Sequence, residues 1–194
     1  MIRVLLVLTA ATAAMTLNGC TLVVLGAYDM ATDARPLAVQ SDDGAIANTI
    51  RSELLEAGLR RFLAVDVFCH QGLVVLTGIA EPGSDAAARA IAIARRQPGV
   101  RRVETYFFST RLSRATDYGI STRFLGRVIF DLSLRAAQVD FVVINGHVVL
   151  AGVVDGQPRM EAILRHARSV DGVKTVRSYL QLKAAHPKAA LGRR

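Results

Sequence analysis

The chain contains one pattern twice, with a separation of 74 positions. The motif Asp-x-x-Ile, followed by apolar residues at four-residue intervals, begins at Asp43 and again at Asp117. At the same displacement, the stretch 71–78 (QGLVVLTG) corresponds to 145–152 (NGHVVLAG). A third block, Gly-Val-x-x-Val, begins at Gly99 and returns 73 positions later. A displacement that holds over separate blocks indicates a tandem duplication of one structural unit.

Each copy predicts the order helix, strand, strand, helix, strand. In the first copy Ile46, Ile50 and Leu54 have the spacing of an amphipathic helix, and Asp42 or Asp43 is suited to its N-cap. The second copy repeats this helix from Asp117. We therefore predict an α+β fold of two tandem αββαβ units, each with a three-stranded mixed sheet and two helices on one face. Units of about 70 residues have thin cores, so packing between the copies is a further expectation.

The hairpin and the second helix carry local signals. Val65, Val67 and Cys69 alternate with other residues, as in a half-buried strand, and Asn145-Gly146 predicts a two-residue turn. Ser84 or Asp85 is expected to open an alanine-rich helix that ends at Pro98-Gly99. Cys69 is expected to be a small apolar core residue. His70 and His147 flank the turns and are interpreted as surface imidazoles.

The N-terminus predicts export. A basic start at Arg3 and an apolar run precede Leu17-Asn18-Gly19-Cys20, which resembles the lipobox of bacterial lipoproteins. We predict a lipoprotein signal peptide over 1–19, lipidation of Cys20 and a tether over 20–42. The alternative is an uncleaved transmembrane anchor, because no charged residue interrupts the chain from Val4 to Ala27. Both interpretations place the remaining chain outside the cytoplasm, which argues against nucleic acid as a partner.

The repeated motifs resemble those of the BON domain (bacterial OsmY and nodulation), and the whole chain resembles dual-BON outer-membrane lipoproteins. The predicted domains are 43–110 and 111–182, followed by a basic tail over 183–194. The resemblance implies a non-catalytic protein of the outer membrane, with a periplasm-facing lipid anchor. It also implies that the second BON domain binds anionic phospholipid and that the protein supports outer-membrane integrity. The alternative functions are a periplasmic protein-interaction module, with envelope protein partners, and a soluble osmotic-stress protein.

Charge is distributed in the way that a lipid-binding second domain requires. Eight basic and eight acidic residues balance from Ser41 to Thr110, whereas residues 111–182 carry ten basic and six acidic residues. The tail adds four basic residues. Anionic membrane is therefore the predicted partner. The candidate contact residues on the second domain's first helix are Tyr118, Arg123 and Arg127, and the alternative for the two arginines is an ordinary solvated helix face.

No catalytic or cofactor motif is found. The four histidines lack ligand-like spacing, so no metal and no cofactor are predicted. Asp66 recurs as Asp140, but these are single carboxylates on strands and not an acid–base pair. We predict that the protein is not an enzyme.

Overall fold

The computed structural model describes residues 37–130 and 138–183. All of them fall within one compact unit, Ala34–Arg194. The predicted signal peptide, Cys20, most of the tether and the tail beyond residue 183 lie outside the described residues. Among the helices described, none is both long enough and apolar enough to cross a membrane.

The two copies fold alike and in the predicted order. The first consists of α1 (Leu37–Phe62), β1 (Val65–His70), β2 (Leu73–Ile79), α2 (Asp85–Arg95) and β3 (Arg102–Phe108). The second consists of α3 (Arg114–Phe130), β4 (Gln138–Ile144), β5 (His147–Val154), α4 (Gln157–Arg168) and β6 (Thr175–Leu182). The fold prediction of two tandem αββαβ units is confirmed.

Each sheet is mixed, with its hairpin's second strand in the centre. β2 pairs antiparallel with β1 and parallel with β3, and β5 pairs in the same way with β4 and β6. The two-residue turns have positive φ at both positions, Gln71 and Gly72 in the first copy and Asn145 and Gly146 in the second. This is the turn geometry that matches strand twist in hairpins, so the prediction made from Asn145-Gly146 is correct.

Each domain has its own core between the sheet and its two helices. In the first domain Ile50 and Leu54 of α1 pack with Ile93 of α2 over Val74 and Leu76 of β2. The second domain repeats this arrangement on the other sheet, with a core that includes Ile120, Phe124, Val148, Leu150 and Ile163. Cys69 belongs to the first core and is 6% exposed, as predicted for a small apolar residue.

The aspartates that recur in the two copies, Asp43 and Asp117, lie inside their helices, and the N-cap prediction is wrong. α1 begins at Leu37, inside the segment predicted to be a tether, so Asp43 lies within the helix. Its carboxylate accepts hydrogen bonds from the backbone N–H groups of Gln71 (2.7 Å) and Gly72 (3.0 Å) in the hairpin turn. The motif therefore joins helix to turn, a tertiary contact that local capping preference does not reveal.

The second helix of the first domain begins as predicted and ends earlier. Ser84 is its N-cap, and the Ser84 Oγ accepts from the Ala87 N–H at 3.2 Å. The helix stops at Arg95, four residues before Gly99. Gly99 has φ +86 and lies in the turn that leads to β3. The glycine shapes this turn and does not terminate the helix.

The two sheets pack against each other through the faces that their helices leave open. Leu73 and Val75 of β2 contact Val149 and Ala151 of β5, together with Tyr179 of β6. Both central strands are consequently buried on both sides. The layers run helices, sheet, sheet, helices, and the expected packing between copies is confirmed.

Polar groups also cross this interface. His70 is 3% exposed, and its Nε2 lies 2.8 Å from the Asp140 Oδ2 of the other domain. The Gln181 Nε2 donates to the His70 carbonyl at 2.9 Å, and the Tyr179 hydroxyl donates to the Thr105 carbonyl at 3.3 Å. The prediction that His70 is a surface imidazole is therefore wrong, because the second sheet covers its ring.

His147 lies at the rim of the same interface. Its ring is half-buried and 5.1 Å from the Phe108 ring of the first domain, and its Nδ1 is 2.7 Å from the Thr175 Oγ1. His147 was also predicted to be a surface imidazole, and it is less exposed than that prediction implies.

Candidate membrane-contact surface

The helix α3 is held to its domain by one carboxylate and one apolar face. The buried Asp117 accepts from the backbone N–H groups of Asn145 and Gly146, each at 3.0 Å. Ile120 and Phe124 are at most 1% exposed, and the Phe124 ring meets the Phe141 ring of β4 edge to face at 4.9 Å. These contacts fix the rotation of the helix, and they determine which residues face outward.

Two large side chains project from the outward face of α3. Tyr118 is 72% exposed and Leu125 is 45% exposed. They are separated by seven residues, so they lie on the same side of the helix, two turns apart. Tyr118 was predicted from the sequence as a contact residue, and Leu125 was not. Helical spacing predicts this position, because Leu125 lies seven residues after Tyr118 and therefore on the same side of the helix.

The candidate arginines lie on the side of α3 that faces α4. The Arg123 Nη2 donates to the Asp171 carbonyl at 3.1 Å, and the Arg127 Nη1 donates to the Ser169 Oγ at 2.6 Å. Both acceptors follow the C-terminus of α4, where a helix presents unpaired carbonyls and a partial negative charge. Both arginines remain exposed. A guanidinium has five N–H donors, so each has donors left for a phosphate.

Arginines near the start of α3 were not identified from the sequence. Arg111 and Arg114 line an open groove of about 410 Å³ with Tyr118 at its rim and Phe141 and Val142 along its wall. The sequence signal was weak, since both arginines lie at the boundary between domains. The structure thus brings Tyr118 together with Arg111 and Arg114, whereas Arg123 and Arg127 lie on another side of the helix.

The carboxylate Asp66 in the first domain has a perturbed pKa. Burial raises the pKa of Asp66, and the positive charges of Arg111 and Arg51 oppose this shift. The other recurring carboxylate, Asp140, contacts His70. In the part of the chain that the structure describes, no group of three histidine, cysteine or acidic side chains is placed to hold a metal ion.

Comparison with known proteins identifies the repeated unit. The BON domain model matches residues 42–107 and 116–184. An uncharacterized protein in the gshII 5′ region of Anaplasma centrale is 28% identical over 147 residues, which cover 73% of this chain and 95% of that protein. The osmotically-inducible protein Y of Escherichia coli K12 is 25% identical over 148 residues, 73% of each chain.

Among solved structures, the C-terminal domain of CdsD, the structural protein of the type III secretion system of Chlamydia trachomatis, aligns over 73% of this chain and 67% of that one. The sequence identity is 13% and the TM-score is 0.27, which is too low to carry an argument. The family assignment rests on the two matched segments, which together span more than half of the chain. The chain belongs to the BON domain family and contains two BON domains.

Proposed function

We propose that the chain is a non-catalytic envelope lipoprotein of the DolP (YraP) kind, anchored through Cys20 on the periplasmic side of the outer membrane. Its second BON domain contacts anionic phospholipid and so supports outer-membrane integrity. The observation that carries this proposal is the outward face of α3. The 72%-exposed Tyr118 projects from this helix near Arg111 and Arg114, and the exposed Arg123 and Arg127 lie on another side of the same helix, in the domain that holds the excess of positive charge.

The chemistry of this face suits the boundary of a bilayer. An aromatic ring with a polar tip is favoured at the level of the lipid headgroups, and Leu125 adds apolar area beside it. Each basic residue near an anionic leaflet contributes about 1 kcal/mol, with the effect fading over a Debye length. A covalent lipid anchor at Cys20 would keep this face close to the membrane, so weak individual contacts would suffice.

Vesicle flotation tests the lipid contact. The fragment 34–194 suits this assay because it contains both hydrophobic cores and forms one compact unit. We expect it to float with phosphatidylglycerol vesicles at low salt and to remain unbound with phosphatidylcholine vesicles. Arg123→Glu with Arg127→Glu should lower the partition coefficient by more than about thirtyfold, since two attractions of about 1 kcal/mol are lost and two repulsions are added. Tyr118→Ala should weaken binding to a smaller extent.

The matched control is Arg60→Glu with Arg61→Glu, two exposed arginines at the end of α1 in the first domain. This variant carries the same change in net charge and should float almost as well as the wild type. Equal losses in both double variants would mean that binding follows net charge alone, which contradicts a defined surface on α3.

Fractionation of cells tests the anchor. We expect the mature protein to be membrane-bound and to carry the mass of diacylglyceryl and acyl groups on Cys20, and Cys20→Ala to be retained with its signal peptide. A wild-type protein of unmodified mass in the soluble fraction would contradict the lipoprotein assignment.

A second candidate function is that of a soluble periplasmic stress protein or protein-interaction module. The observation that favours it is the similarity to osmotically-inducible protein Y, which extends over 73% of both chains. An unlipidated wild type that fails to float with anionic vesicles would support this alternative.

A further inference from the structure

The outer edge of β4 presents backbone groups that no neighbouring strand uses. β4 is the edge strand of its sheet and pairs with β5. Ile144 and His147 flank the two-residue turn and form a hydrogen-bonded pair, and such pairs alternate along an antiparallel ladder. Phe141 and Val143 therefore direct their N–H and C=O groups away from β5. No hydrogen bond to these outward groups comes from other residues in the described ranges.

The first domain closes the same edge with a side chain. In β1 the residue that corresponds to Phe141 is Val67, and its carbonyl accepts a hydrogen bond from the Arg51 Nη2 at 3.2 Å. The residue that corresponds to Arg51, 74 positions later, is Leu125. A leucine cannot donate a hydrogen bond, and it lies 45% exposed. The duplication thus provides an internal comparison in which one edge is blocked by an arginine and the other is left available.

A groove runs beside the available edge and has both apolar and cationic walls. It encloses about 410 Å³ and is lined by Phe141, Val142 and Val143 of β4 and by Arg111 and Arg114 before and at the start of α3. Asp117 also lines it, but its carboxylate is occupied by the two N–H groups of the hairpin turn. The Nε of Arg111 is buried and has no hydrogen-bond partner among the described residues. A buried donor without a partner is unfavourable, and a carboxylate is the acceptor that a guanidinium binds best.

We propose that the edge of β4 binds an extended acidic peptide segment of a partner protein, which adds to the sheet as a fourth strand. The peptide backbone would pair with Phe141 and Val143, its apolar side chains would enter the groove, and a carboxylate would bind to Arg111 and Arg114. Strand addition takes affinity from main-chain hydrogen bonds and specificity from alternate side chains. This surface overlaps the candidate membrane-contact surface at Leu125 and at the groove beside Tyr118, but its test contains no lipid, so the two proposals can fail separately.

The probe is an N-acetylated, C-amidated heptapeptide of alternating valine and glutamate, labelled for fluorescence anisotropy and added to the fragment 34–194. We expect saturable binding and slower hydrogen–deuterium exchange of the segment 139–144. A peptide with lysine in place of glutamate should bind at least tenfold more weakly. A peptide with proline in place of two valines lacks two backbone N–H donors and should also lose at least tenfold in affinity.

The decisive variant is Leu125→Arg, which transfers the arginine of the first domain to the second. It should close the edge and weaken binding of the glutamate peptide at least tenfold, although it adds an attractive charge. Thr122→Arg is the matched control, because Thr122 is exposed on the same helix and gains the same charge. It should bind the peptide within about twofold of the wild type. Arg114→Glu should reverse the preference, with the lysine peptide binding better than the glutamate peptide.

Three results would overturn the proposal. The first is the absence of saturable binding in a folded fragment. The second is equal affinity for the valine and proline peptides, which would make the attraction purely electrostatic. The third is protection of 139–144 that grows with protein concentration and without peptide, which would identify a second copy of the chain as the occupant of this edge.

Discussion

The contact between helix and hairpin turn makes Asp117 the most informative position for a stability measurement. Asp117 is 3% exposed, and its carboxylate accepts from two backbone N–H groups at 3.0 Å. Asp117→Ala leaves both donors without this acceptor. A hydrogen bond to a charged group contributes about 1.5–3 kcal/mol, and water can reach part of the turn because Asn145 is only half-buried. We therefore expect a loss of about 3 kcal/mol in the free energy of unfolding.

Urea unfolding followed by circular dichroism measures this loss. With a slope of about 2 kcal/mol per molar urea, the midpoint should fall by about 1.5 M while the slope stays constant. Asp43→Ala should behave in the same way, since its carboxylate makes the equivalent contacts in the first domain. Asp42→Ala is the control, because Asp42 is exposed next to Asp43, and it should change stability by less than about 0.5 kcal/mol. An effect of Asp117→Ala no larger than that of Asp42→Ala would refute the reasoning.

The other predictions concern the half-buried carboxylate of Asp66 and the interface between the sheets. Because burial raises the pKa of Asp66, the folded state holds its proton more tightly than the unfolded state, and stability falls as the pH rises from the ordinary pKa of 3.8 through the raised value. Asp66→Asn removes the free-energy cost of an ionised carboxylate at this site. The melting temperature of the variant should therefore exceed that of the wild type at pH 7, and the difference should vanish near pH 3. A difference that does not depend on pH would contradict this prediction. Val149→Asp places a charge between the two sheets, at a residue that is fully buried. Since each domain keeps its own core, we expect calorimetry to show two separate unfolding transitions in place of one, and a single transition at lowered temperature would argue against independent cores. Tyr179→Phe removes the hydrogen bond to the Thr105 carbonyl and the acceptor of the exposed Arg177 Nε, and it should cost about 1 kcal/mol without separating the transitions.

Local patterns in the sequence predicted most of the fold. Apolar periodicity and the Asn145-Gly146 turn depend on residues that are close in the sequence, so the helices and strands could be predicted without knowledge of tertiary contacts. The duplication shows each of these patterns twice, which strengthens the prediction. One sequence pattern indicates the packing of one sheet on the other. Leu73 to Leu76 is a continuous apolar run, which is typical of a strand that is covered on both faces.

The features that the sequence did not predict depend on distant partners. His70 meets an aspartate 70 positions away, and Asp43 meets a turn 28 positions away, so neither contact follows from local preference. The candidate surface was predicted in part. Helical geometry placed Tyr118 outward, but the acceptors of Arg123 and Arg127 lie in the loop after another helix, and one sequence alone does not bring them together.

The face-to-face arrangement of the sheets restricts how such a protein could arise from a single module. A lone BON unit of this kind would leave the side chains equivalent to Leu73 and Val75 in water, with no second sheet to cover them. Two identical units could cover these faces by a twofold rotation, as symmetric homodimers commonly do. Duplication of the single gene and fusion of the two copies would then make that association permanent. It would also free the two halves to diverge, one keeping an arginine over its strand edge and the other accumulating positive charge.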